Sequence, residues 1–140
     1  MISARPVLLD TCAAIWLMNG DPISSESRAA IREAQRQNLG VFVSPISAWE
    51  IATLAARNRL QLTLDPQAWF DALLRLPGIR LAPMPAGILI ASAFLPGQPP
   101  RDPADRIIAA TAREQGQTVI TRNGELTTYS AAGHLDVIGC

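Results

Sequence analysis

The stretch RPVLLDTCAAIWLMNGDP, residues 5 to 22, is the part of the sequence that decides the fold class. It opens with a short apolar run that ends at Asp10, a pattern typical of a buried strand. The small and apolar residues that follow have helical spacing, and the Asn19-Gly20 pair is expected to stop the helix. We therefore predict a strand that leads directly into a helix, with a carboxylate at the junction.

The same alternation of short strands and helices continues along the chain, which favours βαβ units and a parallel sheet covered by helices. We predict a three-layer α/β/α single domain over residues 1–140, with a mostly parallel central sheet of four to five strands. The later strands are predicted at VFVS (41–44), IRLAPM (79–84), TVIT (118–121) and LDVIG (135–139). The later helices are predicted at 24–38, from Ser47 to about Arg57, and at 65–78, 86–97 and 102–116.

The composition suits one globular domain, since 49% of the 140 residues are hydrophobic and 17% are charged. The sequence has no apolar run of about 18 residues and no basic segment leading into one, so we expect neither a membrane span nor a signal peptide. Two cysteines, Cys12 and Cys140, do not suggest the disulfide framework of a small secreted domain. These features predict a cytoplasmic protein with reduced thiols.

The charged residues exclude several kinds of chemistry. All twelve basic residues are arginines, which excludes lysine nucleophiles, Schiff bases and a P-loop lysine. His134 is the single histidine, so one chain cannot build a two-histidine zinc site. The net charge is zero, so a nucleic-acid partner would have to meet a local patch. Carboxylates remain as the groups available in number for catalysis.

Acidic and amide side chains recur at the places where a parallel sheet binds ligands, beyond the carboxyl ends of its strands. Asp10 follows the first predicted strand, and Asn123 follows the fourth. Glu50 lies in the helix after the second strand, and Asp102 and Asp105 begin the helix before the fourth. If the first and fourth strands are neighbours, all of these side chains can face one cleft.

Each acid also has a purely structural interpretation. Ser47 and Glu50 have the S-x-x-E spacing of a capping box, and Asp102 with Asp105 has the pattern of a helix cap followed by an acid in the first turn. Asp10 could cap the first helix. These interpretations remain open beside the functional one.

Taken together, the acids favour a metal site. Carboxylates that lie within a few ångströms repel one another and raise their pKa values unless a cation is present. Mg²⁺ or Mn²⁺ prefers oxygen ligands, and two or three carboxylates without histidine suit it. Such a site is best suited to displacement at phosphorus.

Four blocks, in this order, resemble the PIN-domain ribonucleases, and more narrowly the VapC-type toxins of bacterial toxin–antitoxin pairs. LLDTCAAIWL contains the first acid, Asp10, and SPISAWEIA contains the second, Glu50. RDPADRIIAATA contains Asp105, and VITRN ends at Asn123, where the family usually has an aspartate. The resemblance covers nearly the whole chain.

The resemblance implies a metal-dependent endoribonuclease that cuts structured RNA such as tRNA or ribosomal RNA. By this resemblance Asp10 and Asp105 bind Mg²⁺ or Mn²⁺ directly, Glu50 holds a water that belongs to the metal, and Asn123 completes the polar ring. Asn123 offers a carbonyl oxygen but no charge, so the resemblance supports a first metal ion better than a second. Glu125 could reach back to replace the missing acid, although a solvated or helix-starting glutamate is the favoured alternative. Thr121 could orient a water or ligand, and its structural alternative is a β-branched strand residue.

The resemblance also implies partners: an RNA substrate, a second copy of the chain bound through the early helices, and a VapB-type antitoxin whose arginine enters the acidic site. A binding module that has lost activity, with its acids kept as caps, is the alternative function, and Asn123 favours it. Trp16 and Trp49 are interpreted as core or subunit packing, and Cys12 as a small buried residue. One or two RNA contacts are expected among Arg57, Arg59, Arg101, Arg106 and Arg122.

Overall fold

A computed structural model describes residues 4–140 and contains one five-stranded sheet in that range. Its strands have the order β3-β2-β1-β4-β5, and every pair is parallel. The predicted α/β class with a parallel central sheet is therefore confirmed. The strands are β1 (Val7–Leu9), β2 (Val41–Val43), β3 (Ile79–Leu81), β4 (Thr118–Thr121) and β5 (Val137–Gly139).

Helices cover both faces of the sheet because the strand residues alternate in direction. Val7 and Leu9 are buried in one hydrophobic cluster, and Leu8 between them is buried in the other. The first cluster contains residues of the early helices, and the second contains residues of the last two. The helices are α1 (Thr11–Asn19), α2 (Ser25–Arg36), α3 (Pro45–Ala56), α4 (Pro66–Leu74), α5 (Ala86–Ala93), α6 (Pro103–Gln115) and α7 (Gly124–Ala131).

The start of α3 differs from the sequence-based prediction. The helix begins at Pro45, and the Ser44 side chain caps it by accepting a hydrogen bond from the Ile46 N–H at 3.1 Å. Proline suits the first helical position, because the N–H that it lacks would have no partner within the helix there. The capping box of Ser47 and Glu50 is therefore wrong, because both residues lie inside the helix.

Helix α7 was not predicted, because two threonines and a leading glycine give GELTTYSA weak helix propensity. Asn123 caps it by accepting hydrogen bonds from the N–H groups of Glu125 and Leu126 at 2.8 and 3.1 Å. Burial of Leu126 and Tyr129 fixes the helix on the sheet. An asparagine directly after a strand was the available signal for this helix.

The reversal of strand order lies between β1 and β4, which pair in parallel register with Leu9 beside Ile120. The first and fourth strands are thus neighbours, as the single-cleft interpretation requires. Asp10 and Thr121 lie side by side at this carboxyl edge of the sheet.

Candidate active site

A cleft of about 400 Å³ opens at the carboxyl ends of β1 and β4. The structure brings all four residues predicted for the site to this cleft. Its lining comprises Asp10, Thr11, Cys12, Trp16, Glu50, Asp102, Asp105, Arg122 and Asn123.

Asp10 is the deepest acid in the cleft, with only 5% of its surface exposed. Its Oδ1 accepts a hydrogen bond from the Ala13 N–H at 2.7 Å and so caps α1. Its Oδ2 accepts a hydrogen bond from the Thr121 hydroxyl. Thr121 accepts a hydrogen bond in turn from the Asn123 N–H at 2.8 Å. The capping role of Asp10 is compatible with the functional interpretation, because the capped carboxylate still lines the cleft.

Glu50 is held by a chain of hydroxyl groups that sequence reasoning missed. The Thr11 hydroxyl donates to Glu50 Oε1, and the buried Ser47 hydroxyl lies 2.9 Å from Thr11 Oγ1. A threonine hydroxyl has one proton, so Ser47 is the donor to Thr11. Helix α1 and helix α3 thus cooperate to orient one carboxylate.

Asp105 lies in the first turn of α6, behind the capping residue Asp102. The Asp102 side chain accepts the Asp105 N–H at 3.1 Å, which confirms its predicted capping role. The Asn123 amide donates to Asp105 Oδ2 at 3.1 Å. Asn123 therefore caps α7 with its oxygen and orients Asp105 with its nitrogen.

Burial raises the pKa of all three acids above their ordinary values. For Asp105, burial and then the charges of Asp102, Glu50 and Asp10 raise the pKa to about 7. Burial raises the pKa of Glu50 and Asp10 as well, against the opposing effect of their hydroxyl donors. A site that resists holding three negative charges favours a cation.

Three other sequence-based interpretations can be compared with the structure. Cys12 was interpreted as buried, but the residue is exposed at the cleft. Partial desolvation of its thiol, followed by the charges of the neighbouring acids, raises its pKa to about 11. Trp49 does not belong to the core, since 62% of its surface is exposed. Glu125 lies in the first turn of α7, which agrees with its helix-starting interpretation. The Arg101 Nε donates a hydrogen bond to its carboxylate at 3.1 Å.

The chemistry of the donor set fits Mg²⁺ or Mn²⁺. Each of the three buried or half-buried acids is bound by neutral donors only, and each keeps oxygen lone pairs for a further ligand. Over residues 4–140 no three acidic, cysteine or histidine side chains already surround a common point. The fit therefore rests on donor type and on the shared cleft.

The sequence matches known proteins along most of its length. The PIN domain family model matches residues 7–131. The chain belongs to the PIN-domain family. A curated relative of this PIN domain, Ribonuclease VapC22 of Mycobacterium tuberculosis, is 32% identical over 125 residues, which cover 88% of this chain and 91% of that protein. The sequence-based recognition is thereby confirmed.

Solved structures support the PIN-domain fold. VapBC2 from Rickettsia felis, bound to a DNA fragment from its promoter, aligns with a TM-score of 0.67 at 15% identity and covers 96% of this chain and 98% of that chain. DNA-bound VapBC from Salmonella typhimurium aligns at 0.58 with 19% identity, covering 96% and 98% of the two chains. FitAcB from Neisseria gonorrhoeae aligns at 0.53 with 22% identity, covering 94% and 96%.

Along the described residues, 4–140, no helix has the length and apolar character needed to cross a bilayer.

Proposed function

We propose that this PIN domain is a Mg²⁺- or Mn²⁺-dependent endoribonuclease that hydrolyses phosphodiester bonds in structured RNA, tRNA or ribosomal RNA. The observation that carries the proposal is the convergence of Asp10, Glu50 and Asp105 in one cleft without a bonded basic side chain. The 32% identity to a protein named as a ribonuclease supports the same activity. Such a substrate would place the action of the protein in the cytoplasm.

In this proposal Asp10 and Asp105 would hold the divalent ion, which would supply polarisation of the phosphoryl oxygens and stabilisation of the leaving oxygen. Glu50 orients the attacking water and takes its proton, because the raised pKa of its carboxyl group makes it a better base than an exposed glutamate. The water oxygen forms a bond to phosphorus, and the bond from phosphorus to the bridging ribose oxygen breaks. The leaving oxygen takes a proton from solvent water, and Glu50 returns its proton to solvent.

Thr121 and Asn123 position these groups in the proposal. Thr121 fixes Asp10, and the Asn123 amide fixes Asp105. Both act through hydrogen bonds to the acids, so their loss should lower the rate less than loss of an acid.

The test is cleavage of total RNA by purified protein with Mg²⁺ or Mn²⁺. We expect cleavage that is lost in EDTA and in Asp105→Ala. Cleavage that survives both controls would come from a contaminant, and no cleavage of any RNA would defeat the proposal.

A catalytically weak binding module is the second candidate, favoured by the helix-capping roles of Asp10, Asp102 and Asn123. Titration with Mn²⁺ by calorimetry separates the two functions. The nuclease requires a site that disappears in Asp10→Asn, whereas a module with acids kept only as caps should show none.

A VapB-type antitoxin and a second copy of the chain are the proposed protein partners. Similarity to structures named as VapBC complexes supports the first. Exposed apolar side chains support an interface with another chain: Trp49 on α3 is 62% exposed, and Ile90 and Phe94 of the segment at α5 are 63% and 82% exposed. Sedimentation of the protein alone and with its antitoxin tests both partners.

A further inference from the structure

We propose that Arg122, held against Trp16, is a phosphate-binding subsite of the cleft, which engages a phosphate of the RNA strand next to the one that is cut. The inference rests on the proposed ribonuclease function and names a part of its substrate site. Its starting observation is the position of Arg122 directly after Thr121, the residue that fixes Asp10.

Arg122 is restrained at two points. Its guanidinium carbon lies 4.0 Å from the centroid of the Trp16 ring, and its Nη2 donates to the Pro22 carbonyl at 3.2 Å. The face of an indole ring attracts a cation without neutralising it, so the side chain keeps its full charge in this position. The arginine is thus ordered in advance of any ligand.

The restraint keeps Arg122 apart from the acids. It lines the same cleft as Asp10, Glu50 and Asp105, yet within residues 4–140 it forms no ion pair with a carboxylate. An unrestrained arginine beside three acids would pair with one of them and occupy the site. Here one rim of the cleft stays positive while its floor stays negative.

A nucleic-acid strand matches this division of charge. The floor suits a cation that carries the scissile phosphate, and the rim offers remaining guanidinium N–H donors to a neighbouring phosphate. The other arginines considered from the sequence are less suited. Arg101 binds Glu125, Arg106 binds the carbonyls of Pro100 and Ser92, and neither Arg57 nor Arg59 lines the cleft.

The test measures binding of a fluorescein-labelled single-stranded RNA of mixed sequence by anisotropy over a series of salt concentrations. All variants are made in Asp105→Asn protein in EDTA, which prevents cleavage. We expect Arg122→Gln to weaken binding by about tenfold and to reduce the salt slope by about 0.7, the value for one phosphate contact on a single strand. Trp16→Leu should weaken binding partially because the guanidinium loses its support, and Arg122→Lys should retain the slope.

Arg32→Gln is the matched control, since Arg32 is an exposed arginine of α2 that does not line the cleft. An unchanged slope in Arg122→Gln, an equal change in Arg32→Gln, or no RNA binding by the parent protein would overturn the subsite. The outcome is separable from the nuclease proposal. If the wild type cleaves RNA but Arg122→Gln leaves the salt slope of RNA binding unchanged, only the subsite is rejected. If the salt slopes change as expected but the wild type does not cleave RNA, only the nuclease proposal is rejected.

Discussion

At the scale of single residues, the candidate site depends on carboxylates held where their charge is unfavourable. Asp105 shows this most clearly, because burial and four neighbouring acids raise its pKa to about 7. An ordinary exposed aspartate has a pKa near 4. Between about pH 4 and about pH 7, Asp105 therefore binds a proton more readily in the folded protein than in the unfolded chain.

This difference predicts how stability changes with pH in the absence of metal. Since the folded pKa of Asp105 is raised, its contribution to stability is full below the unfolded pKa and is lost as the pH rises through about 7. We expect the urea midpoint in EDTA to fall from about pH 5 to about pH 8, and to fall less in Asp105→Asn. A flat wild-type midpoint, or an equal fall in the variant, would contradict the raised pKa.

The hydroxyl chain to Glu50 gives a second prediction at this scale. Thr11→Val removes the donor to Glu50 Oε1, and loss of a hydrogen bond to a charged group, worth about 1.5 kcal/mol, should slow cleavage about tenfold. The Thr11 hydroxyl also lowers the pKa of Glu50, so the acid limb of the pH–rate profile should move to higher pH. Thr11→Ser keeps the hydroxyl and should restore both values. A slower variant with an unmoved profile would mean that Thr11 acts only in packing.

At the scale of secondary-structure elements, three of the cleft residues are placed by the starts of helices. Asp10, Asp102 and Asn123 cap α1, α6 and α7, and these helices begin at the carboxyl edge of the sheet. Helix N-termini have a partial positive charge that favours acids nearby. The caps therefore place the acidic ring and partly offset its repulsion.

The cap of α7 yields the third prediction, on Asn123. Asn123→Ala should cost about 1 kcal/mol of stability because α7 loses its cap. Asn123→Asp keeps the capping oxygen but replaces the donor to Asp105 with a charge, so the metal-free protein should be less stable and Mn²⁺ should bind more tightly. Urea unfolding and calorimetry measure these effects. Cleavage by Asn123→Asp should be retained or increased, and its complete loss would show that the amide is required.

The sequence predicted every strand and the helices α1 to α6, because the residue patterns that indicate these elements are local. The start of α3 was assigned to Ser47, although Ser44 followed by Pro45 was also a start signal. Contacts between distant segments could not be predicted: Ser47 and Thr11 are 36 positions apart, and only the fold brings their hydroxyls together.

At the scale of the whole molecule, strand order decides whether there is a site. The sequence placed acids after the first and fourth strands, but local patterns do not determine which strands are neighbours. The pairing of β1 with β4 brings Asp10 and Asn123 to one edge. Net charge was equally uninformative, since twelve acids and twelve arginines balance while one cleft gathers several acids around a single arginine.

The gathered acids predict that a divalent ion stabilises the whole fold. A ligand that binds only the folded state at a hundred times its dissociation constant adds about 2.7 kcal/mol, which for a chain of this size raises the Tm by several degrees. We expect Mn²⁺ to produce such a shift in the wild type and to lose it in Asp10→Asn. Glu114→Gln is the control, because Glu114 is an exposed acid of α6 outside the cleft and should keep the shift. Equal shifts in the two variants would place the ion elsewhere on the surface and separate the acidic cleft from metal binding.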